Sequence, residues 1–187
     1  MESQKLPMGL VSLGIGTYVA VALAGLTADL LTKHWVFNAL GMPGTYKAND
    51  ASVYWIVPDV FGFQTSLNSG ALFGLGAGQT VLLAVLSLVF LIGIIGYVLF
   101  WAWRSVFLSV TLGMITAGIC GNLYDRLGWH GLTDFNGQPV YAVRDWILCM
   151  IGTFPWPNFN VADSLLVCSV ILLLLQELLA SKQQSTG

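Results

Sequence analysis

"FNVADSLLV", Phe159 to Val167, sets an acid inside the opening of an apolar run. Val161 to Ala180 can span a membrane only if Asp163 is accepted near one end and Glu177 near the other. An ionisable group at membrane depth is expensive and is by default a functional candidate. Two readings of Asp163 compete. Asn160 and Asp163 have the spacing of a helix-capping pair, and an acid in a first helical turn is favoured by the helix dipole. Alternatively, the carboxylate carries chemistry.

The rest of the chain supports the membrane reading. Of its 187 residues 56% are hydrophobic and only 9% charged, with a mean hydropathy of +0.78; a soluble domain carries about 25% charged residues. The expectation is one integral membrane domain over 1–187, all-α, with four spans at 8–28, 80–103, 105–124 and 161–180. The connections 29–79 and 125–160 are then extracytoplasmic. Within them "SVYWIV" and "VFGFQTSL" are β-prone, and "DFNGQPVYAV" predicts a hairpin turning at Asn136-Gly137. "WILCMIGTF" is apolar but too short to cross, and predicts an interfacial segment. Ala22-Leu23-Ala24 resembles a leader cleavage site, but the first apolar run exceeds the usual about 7–15 residues of a leader core, so a retained span is expected.

The net charge of −2 argues against a nucleic-acid partner. Cys120, Cys149, Cys168, His34 and His130 form no ligand-like cluster, so neither a disulfide framework, a metal nor a cofactor is expected. Four spans put both termini on one side, together with Lys5, Arg104 and Lys182, which fits the cytoplasm; Lys33, Lys47, Arg126 and Arg144 lie opposite.

All the aspartates fall on the side of the long connections, and Asp29, Asp125, Asp145 and Asp163 stand at or just beyond span ends. Asp29 and Lys33 have i,i+4 spacing for an ion pair, and Asn122 shares a helix face with Asp125 or Arg126. Asp125 ends a helix, where the dipole disfavours an anion, and its neighbour Arg126 is the expected counter-charge. A proton-conducting transporter would hold its acids at mid-membrane. Here they gather at one end.

In order, the chain carries "DLLTK" (Asp29–Lys33), "LNSGALFGLG" (Leu67–Gly76), "AGICGNLYDRL" (Ala117–Leu127), "VRDWI" (Val143–Ile147) and "FNVAD" (Phe159–Asp163). This set resembles the bacterial lipoprotein signal peptidases, or signal peptidase II, with their D-x-x-[ST]-K, N-x-G-x-x-F, G-N-x-x-D-R, V-D-F-like and F-N-x-A-D elements. The resemblance implies an intramembrane aspartyl endopeptidase of the bacterial cytoplasmic (inner) membrane. It would remove signal peptides from diacylglyceryl-modified prolipoproteins, cutting before the lipidated cysteine. Its partners would be that substrate and the membrane lipids, and a monomer is expected. Asp145 and Asp163 would be the catalytic pair. Asn122, Asp125, Arg126 and Asn160 would shape the site, Asn68 and Gly70 would line the substrate groove, and Asp29 and Lys33 would support it from the first helix end.

Two departures stand out. The second acidic element reads Val143-Arg144-Asp145-Trp146 rather than Val-Asp-Phe, and the connection after Asp125-Arg126 is long. Asp134, in "LTDFN", is therefore a rival partner for Asp163. Asp145 is preferred, because its spacing to Asp163 is the family-like one and residues 131–142 then form a self-contained inserted hairpin.

Overall fold

The computed structural model describes residues 8–43, 53–70, 79–100 and 105–185. Four helices, α1 (Met8–Leu40), α2 (Thr80–Phe100), α3 (Val106–Arg126) and α4 (Val161–Ser185), are each long and apolar enough to cross a membrane. Four strands, β1 (Tyr54–Val57), β2 (Phe61–Asn68), β3 (Val143–Ile151) and β4 (Phe154–Pro155), form one antiparallel sheet in sequence order. The expected class, four membrane helices with a small β element, is the observed one. Residues 71–78 and 101–104, with Arg104, and also Lys5 and Lys47 lie outside the described residues.

α3 is the buried centre of the bundle. Its Gly113, Ala117, Gly118 and Gly121 let neighbouring backbones approach closely, the usual means of helix association where apolar burial gives no drive. A Cβ on Gly113 would sit 2.9 Å from the Tyr18 carbonyl of α1, and one on Gly118 would sit 2.7 Å from the Ala162 carbonyl of α4. Ser105 caps the start of α3, its hydroxyl accepting from the Leu108 amide at 3.3 Å. Among the described residues α2 packs mainly on α3, and most of its large side chains face outward.

Three boundaries differ from the sequence-based expectation. α1 continues past Ala28 to Leu40, where Gly41 (φ 83°) ends it with its amide on the Phe37 carbonyl. Asp29 and Lys33 therefore lie within the helix and not at its end. Charges read as a stop signal do not stop a helix when each has a partner. α3 likewise runs to Arg126, so Asp125 belongs to its last turn. Val143–Ile151, which contains most of the apolar segment too short to cross, is a paired strand of the sheet. Its nearly continuous burial hides the alternation that marks a strand with one wet face.

The sheet rests on the extension of α1. Val36 and Phe37 pack with Trp146, and Phe63 meets the Trp146 ring edge-on at 5.0 Å between centroids. The inserted hairpin is present in reduced form. A single bridge joins Thr133 to Pro139, and the Gly137 amide closes the turn on the Asp134 carbonyl. Gly137 takes a left-handed φ of 76°, as in a type I turn followed by a G1 bulge.

Candidate active site

Local pairing brings the two preferred aspartates together. The Phe159 carbonyl accepts from the Trp146 and Ile147 amides at 3.0 and 2.8 Å, and the Phe159 amide donates to Ile147 O at 3.2 Å. This bridge lays the approach to α4 against β3, so that Asn160 arrives beside Asp145. Asn160 then caps α4 as its residue type and spacing predict. Its Oδ1 accepts from the Asp163 amide at 2.9 Å, while Asp163 Oδ2 accepts from the Asn160 amide at 3.2 Å. That is the reciprocal capping box.

The capping reading of Asp163 is met, and the cap leaves its Oδ1 for another partner. Asn160 Nδ2 reaches past the cap and donates to Asp145 Oδ1 at 2.6 Å and to Asn122 Oδ1 at 3.1 Å. Asn122 Nδ2 donates to Asp163 Oδ1 at 2.8 Å, and Asn68 Nδ2 donates to Asp145 Oδ2 at 3.1 Å. Each carboxylate is thus oriented by two donors, and Asn160 holds both.

Behind this pair lies a buried ion cluster. Lys33 Nζ meets Asp29 Oδ2 at 2.7 Å, Asp125 Oδ2 at 3.0 Å and Asn122 Oδ1 at 3.1 Å, which occupies its three donors. Asp125 also accepts from the Arg144 backbone amide, Nε and NH2 at 3.0, 3.0 and 2.8 Å. Asp29 Oδ1 accepts from the Ala162 amide in the first turn of α4 at 2.9 Å. Two acids and two bases balance. The counter-charges of Asp125 are Lys33 and Arg144, not the adjacent Arg126 expected from sequence. Arg126 turns toward the cleft, where NH2 donates to the Gly70 carbonyl at 3.1 Å. Arg144 is the participant that sequence reasoning noticed only as a departure. Its signal was a cation embedded in a strand that is otherwise apolar up to Asp145.

Both aspartates open on a cleft of about 800 Å³ between α2, α3 and α4, roofed by the end of β2 and the approach to α4. Asn68, Gly70, Asn122 and Arg126 line it, as do Trp156, Pro157 and Asn158, which carried no signal in sequence. Leu83, Leu86 and Phe90 of α2 and Leu166 and Val167 of α4 make its apolar walls. Burial, then the nearby Asp163, pushes the Asp145 carboxyl from 3.8 up to about 7; the amides of Asn68 and Asn160 and the Lys33 charge pull the other way. Asp134 lies exposed at the hairpin turn, its Oδ1 accepting from the Asn136 and Gln138 amides, both at 2.8 Å.

A membrane-helix bundle with paired carboxyls at one end of an apolar cleft defines the class: a multi-pass membrane protein with an acid-lined cavity. The family profile described as Signal peptidase (SPase) II matches residues 21–179. The chain is 45% identical over 161 residues to a lipoprotein signal peptidase of Rhodopirellula baltica, covering 85% of this chain and 70% of the relative. It is 30% identical over 155 residues to one of Clostridium novyi, covering 83% and 93%. A bacterial membrane enzyme structure obtained by the in meso method at 2.3 Å superposes with a TM-score of 0.70 at 25% identity, over 90% of this chain and 91% of the other. The chain belongs to the signal peptidase II family, the lipoprotein signal peptidases.

The ion cluster makes a stability prediction. Asp125→Ala leaves Arg144 without its carboxylate and the Asp29–Lys33–Arg144 group with one excess buried positive charge, and breaking a buried pair costs about 3–5 kcal/mol. Thermal unfolding in detergent is expected to show a large drop in Tm. A Tm within a degree of the parent would mean that the cluster is not a structural keystone.

Proposed function

We propose that Asp145 and Asp163 share a proton and hydrolyse a peptide bond in the cleft, which makes this chain an aspartyl endopeptidase. Family membership supplies the coarser activity, removal of signal peptides from lipoproteins. The proposal adds the chemistry and the cleavage point, directly before the lipidated cysteine. The observation that carries it is the pair of carboxyls, one buried on β3 and one half-buried on α4, held by the one asparagine at the wall of an apolar cleft.

Two adjacent carboxyls do not both ionise cheaply. Asp145, with its raised pKa, is the member that keeps the proton. Asp163 accepts a proton from a water as the water oxygen attacks the scissile carbonyl carbon, and Asp145 gives its proton to the carbonyl oxygen. The resulting gem-diol collapses as Asp163 passes its proton to the leaving nitrogen and Asp145 recovers one from a diol hydroxyl. Asn160, Asn122 and Asn68 hold the carboxyls in place through these steps. The leucines of α2 and α4 suit the apolar part of a signal peptide and its acyl chains. Action as a monomer is part of the proposal.

We place both termini in the cytoplasm and the sheet outside. Lys182 near the end of α4 supports this orientation, and Trp35, Trp129 and Trp156 suit a membrane interface at the sheet end. Single cysteines at Ser105 and Gln138, in a background without native cysteines, test it. An impermeant reagent added to intact cells should label position 138 and spare 105, and the reverse pattern would invert the topology.

Asp145→Asn and Asp163→Asn are each expected to abolish cleavage of a lipidated prolipoprotein by purified protein, since an amide cannot pass the shared proton. Asp134→Asn should keep most of the activity. Activity in Asp145→Asn with loss in Asp134→Asn, at matched protein levels, would reverse the assignment.

The working form has Asp145 neutral, so kcat/KM should fall as pH rises through about 7. The same shift has a stability sign. A carboxyl raised by folding contributes stability that is full below its unfolded value near 3.8 and is lost as pH climbs through about 7. A rate still rising at pH 9 would show that neutral Asp145 is not the acid.

A further inference from the structure

β3 presents successive side chains to opposite faces. Asp145 faces Asn160 and the cleft, whereas Arg144 faces inward to Asp125 of α3 and lies 6.0 Å over the Phe37 ring of α1. Asp125 and Arg144 also stand at the two ends of the long inserted connection. Three bonds from Arg144, one of them from its backbone amide, fasten the start of β3 to the last turn of α3. An insertion of this kind would otherwise let β3 drift along β2, where Ser66 faces Asp145 and Leu67 faces Arg144.

We propose that Arg144 is a positioning residue for the hydrolysis: its clamp on Asp125 closes the base of the inserted hairpin and sets Asp145 against Asn160 and Asp163. This rests on the reading of Asp145 as a member of the proton-sharing pair. The clamp has an electrostatic side. The charged groups gathered about Asp145 are Asp29 and Lys33 of α1, Asp125 and Arg126 of α3, Asp163 of α4 and its own neighbour Arg144, with His130 near Asp125 and Arg144. Arg144 brings the Asp29–Lys33–Asp125 group to neutrality. Without it that group carries one net negative charge, which favours the protonated pair.

Arg144→Met and Arg144→Lys separate the two contributions, since lysine keeps the charge but cannot reproduce the guanidinium fork. Cleavage is measured per folded molecule, with folded protein counted by size exclusion and thermal unfolding. Arg144→Met is expected to lower kcat by about 10–100-fold, the scale of a small misplacement of a reacting group. KM should change by less than about threefold, and the alkaline limb of the pH profile should move upward. Arg144→Lys is expected to return the limb to its parental position while recovering only part of kcat. Parental kcat and limb in Arg144→Met, or an activity loss that only tracks loss of folded protein, would overturn the proposal. If Arg144→Met does not fold, Arg144→Lys decides alone: reduced kcat with an unmoved limb supports the clamp, and parental kcat removes it. Asp145→Asn is run beside them. Activity there sinks the proton-sharing reading itself, whereas an inactive Asp145→Asn beside an unaffected Arg144→Met sinks only the clamp.

Discussion

The Asp125 carboxylate, closed in by Lys33 and Arg144, is the contact on which the acid-bearing end of the molecule depends. Taking an ion out of water costs several kcal/mol even after relaxation, so a buried cluster persists only when the charges balance and the hydrogen bonds are filled. Here the two acids and two bases cancel, Lys33 lies against both acids and donates to Asn122, and Asp125 accepts three bonds from Arg144. The partners come from α1, α3 and β3, and Asp29 adds the first turn of α4. Four pieces of chain distant in sequence thus share one electrostatic requirement. A slip of any of them would strand a charge in a low-dielectric interior, which fixes their relative register more sharply than apolar helix contacts can.

Asn160 couples that frame to the two carboxyls. Its side-chain oxygen serves the helix, and its side-chain nitrogen serves Asp145 and Asn122. An amide carries a donor and an acceptor on one planar group, so a single residue can cap α4 and span the gap between strand and helix. Aspartate at this position would keep the cap and lose the donor that Asp145 needs. The small residues of α3 complete the arrangement by letting α1 and α4 close on it from two sides; a Cβ at Gly121 would run into the Asp29 carboxylate.

Much of this was legible in the sequence, for identifiable reasons. The spans follow from hydropathy, since nothing but apolar helix answers to runs such as Thr80 to Phe100. The ordered motifs pointed to the residues that the fold gathers, and Asn160 with Asp163 had the spacing of a capping box. What stayed hidden depended on partners far away in sequence. The second half of α1 looked like a loop because Asp29 and Lys33 looked like water-seeking charges. Asp125 was matched with adjacent Arg126, although adjacent residues on a helix do not face each other and its true cations sit on α1 and β3. β3 concealed itself because nearly all of its length is covered. The walls at Trp156 to Asn158 had no local mark, since a residue lines a cleft by virtue of what stands opposite.

On the proposed mechanism, the double duty of Asp163 decides how a stalled complex with substrate is best made. A silenced enzyme is useful as a trap only if it remains well folded while it holds its peptide. Replacing Asp163 disturbs the capping box and removes a charge that the helix dipole favours by about 0.3–1 kcal/mol, in the wall that the substrate must lean on. Asp145 has no such second employment. Its donors are side-chain amides, and the Asn68 amide can turn to meet an altered partner, giving up its contact to the Gly70 amide among others. For capture of a bound lipoprotein precursor, the strand aspartate is the better one to disarm.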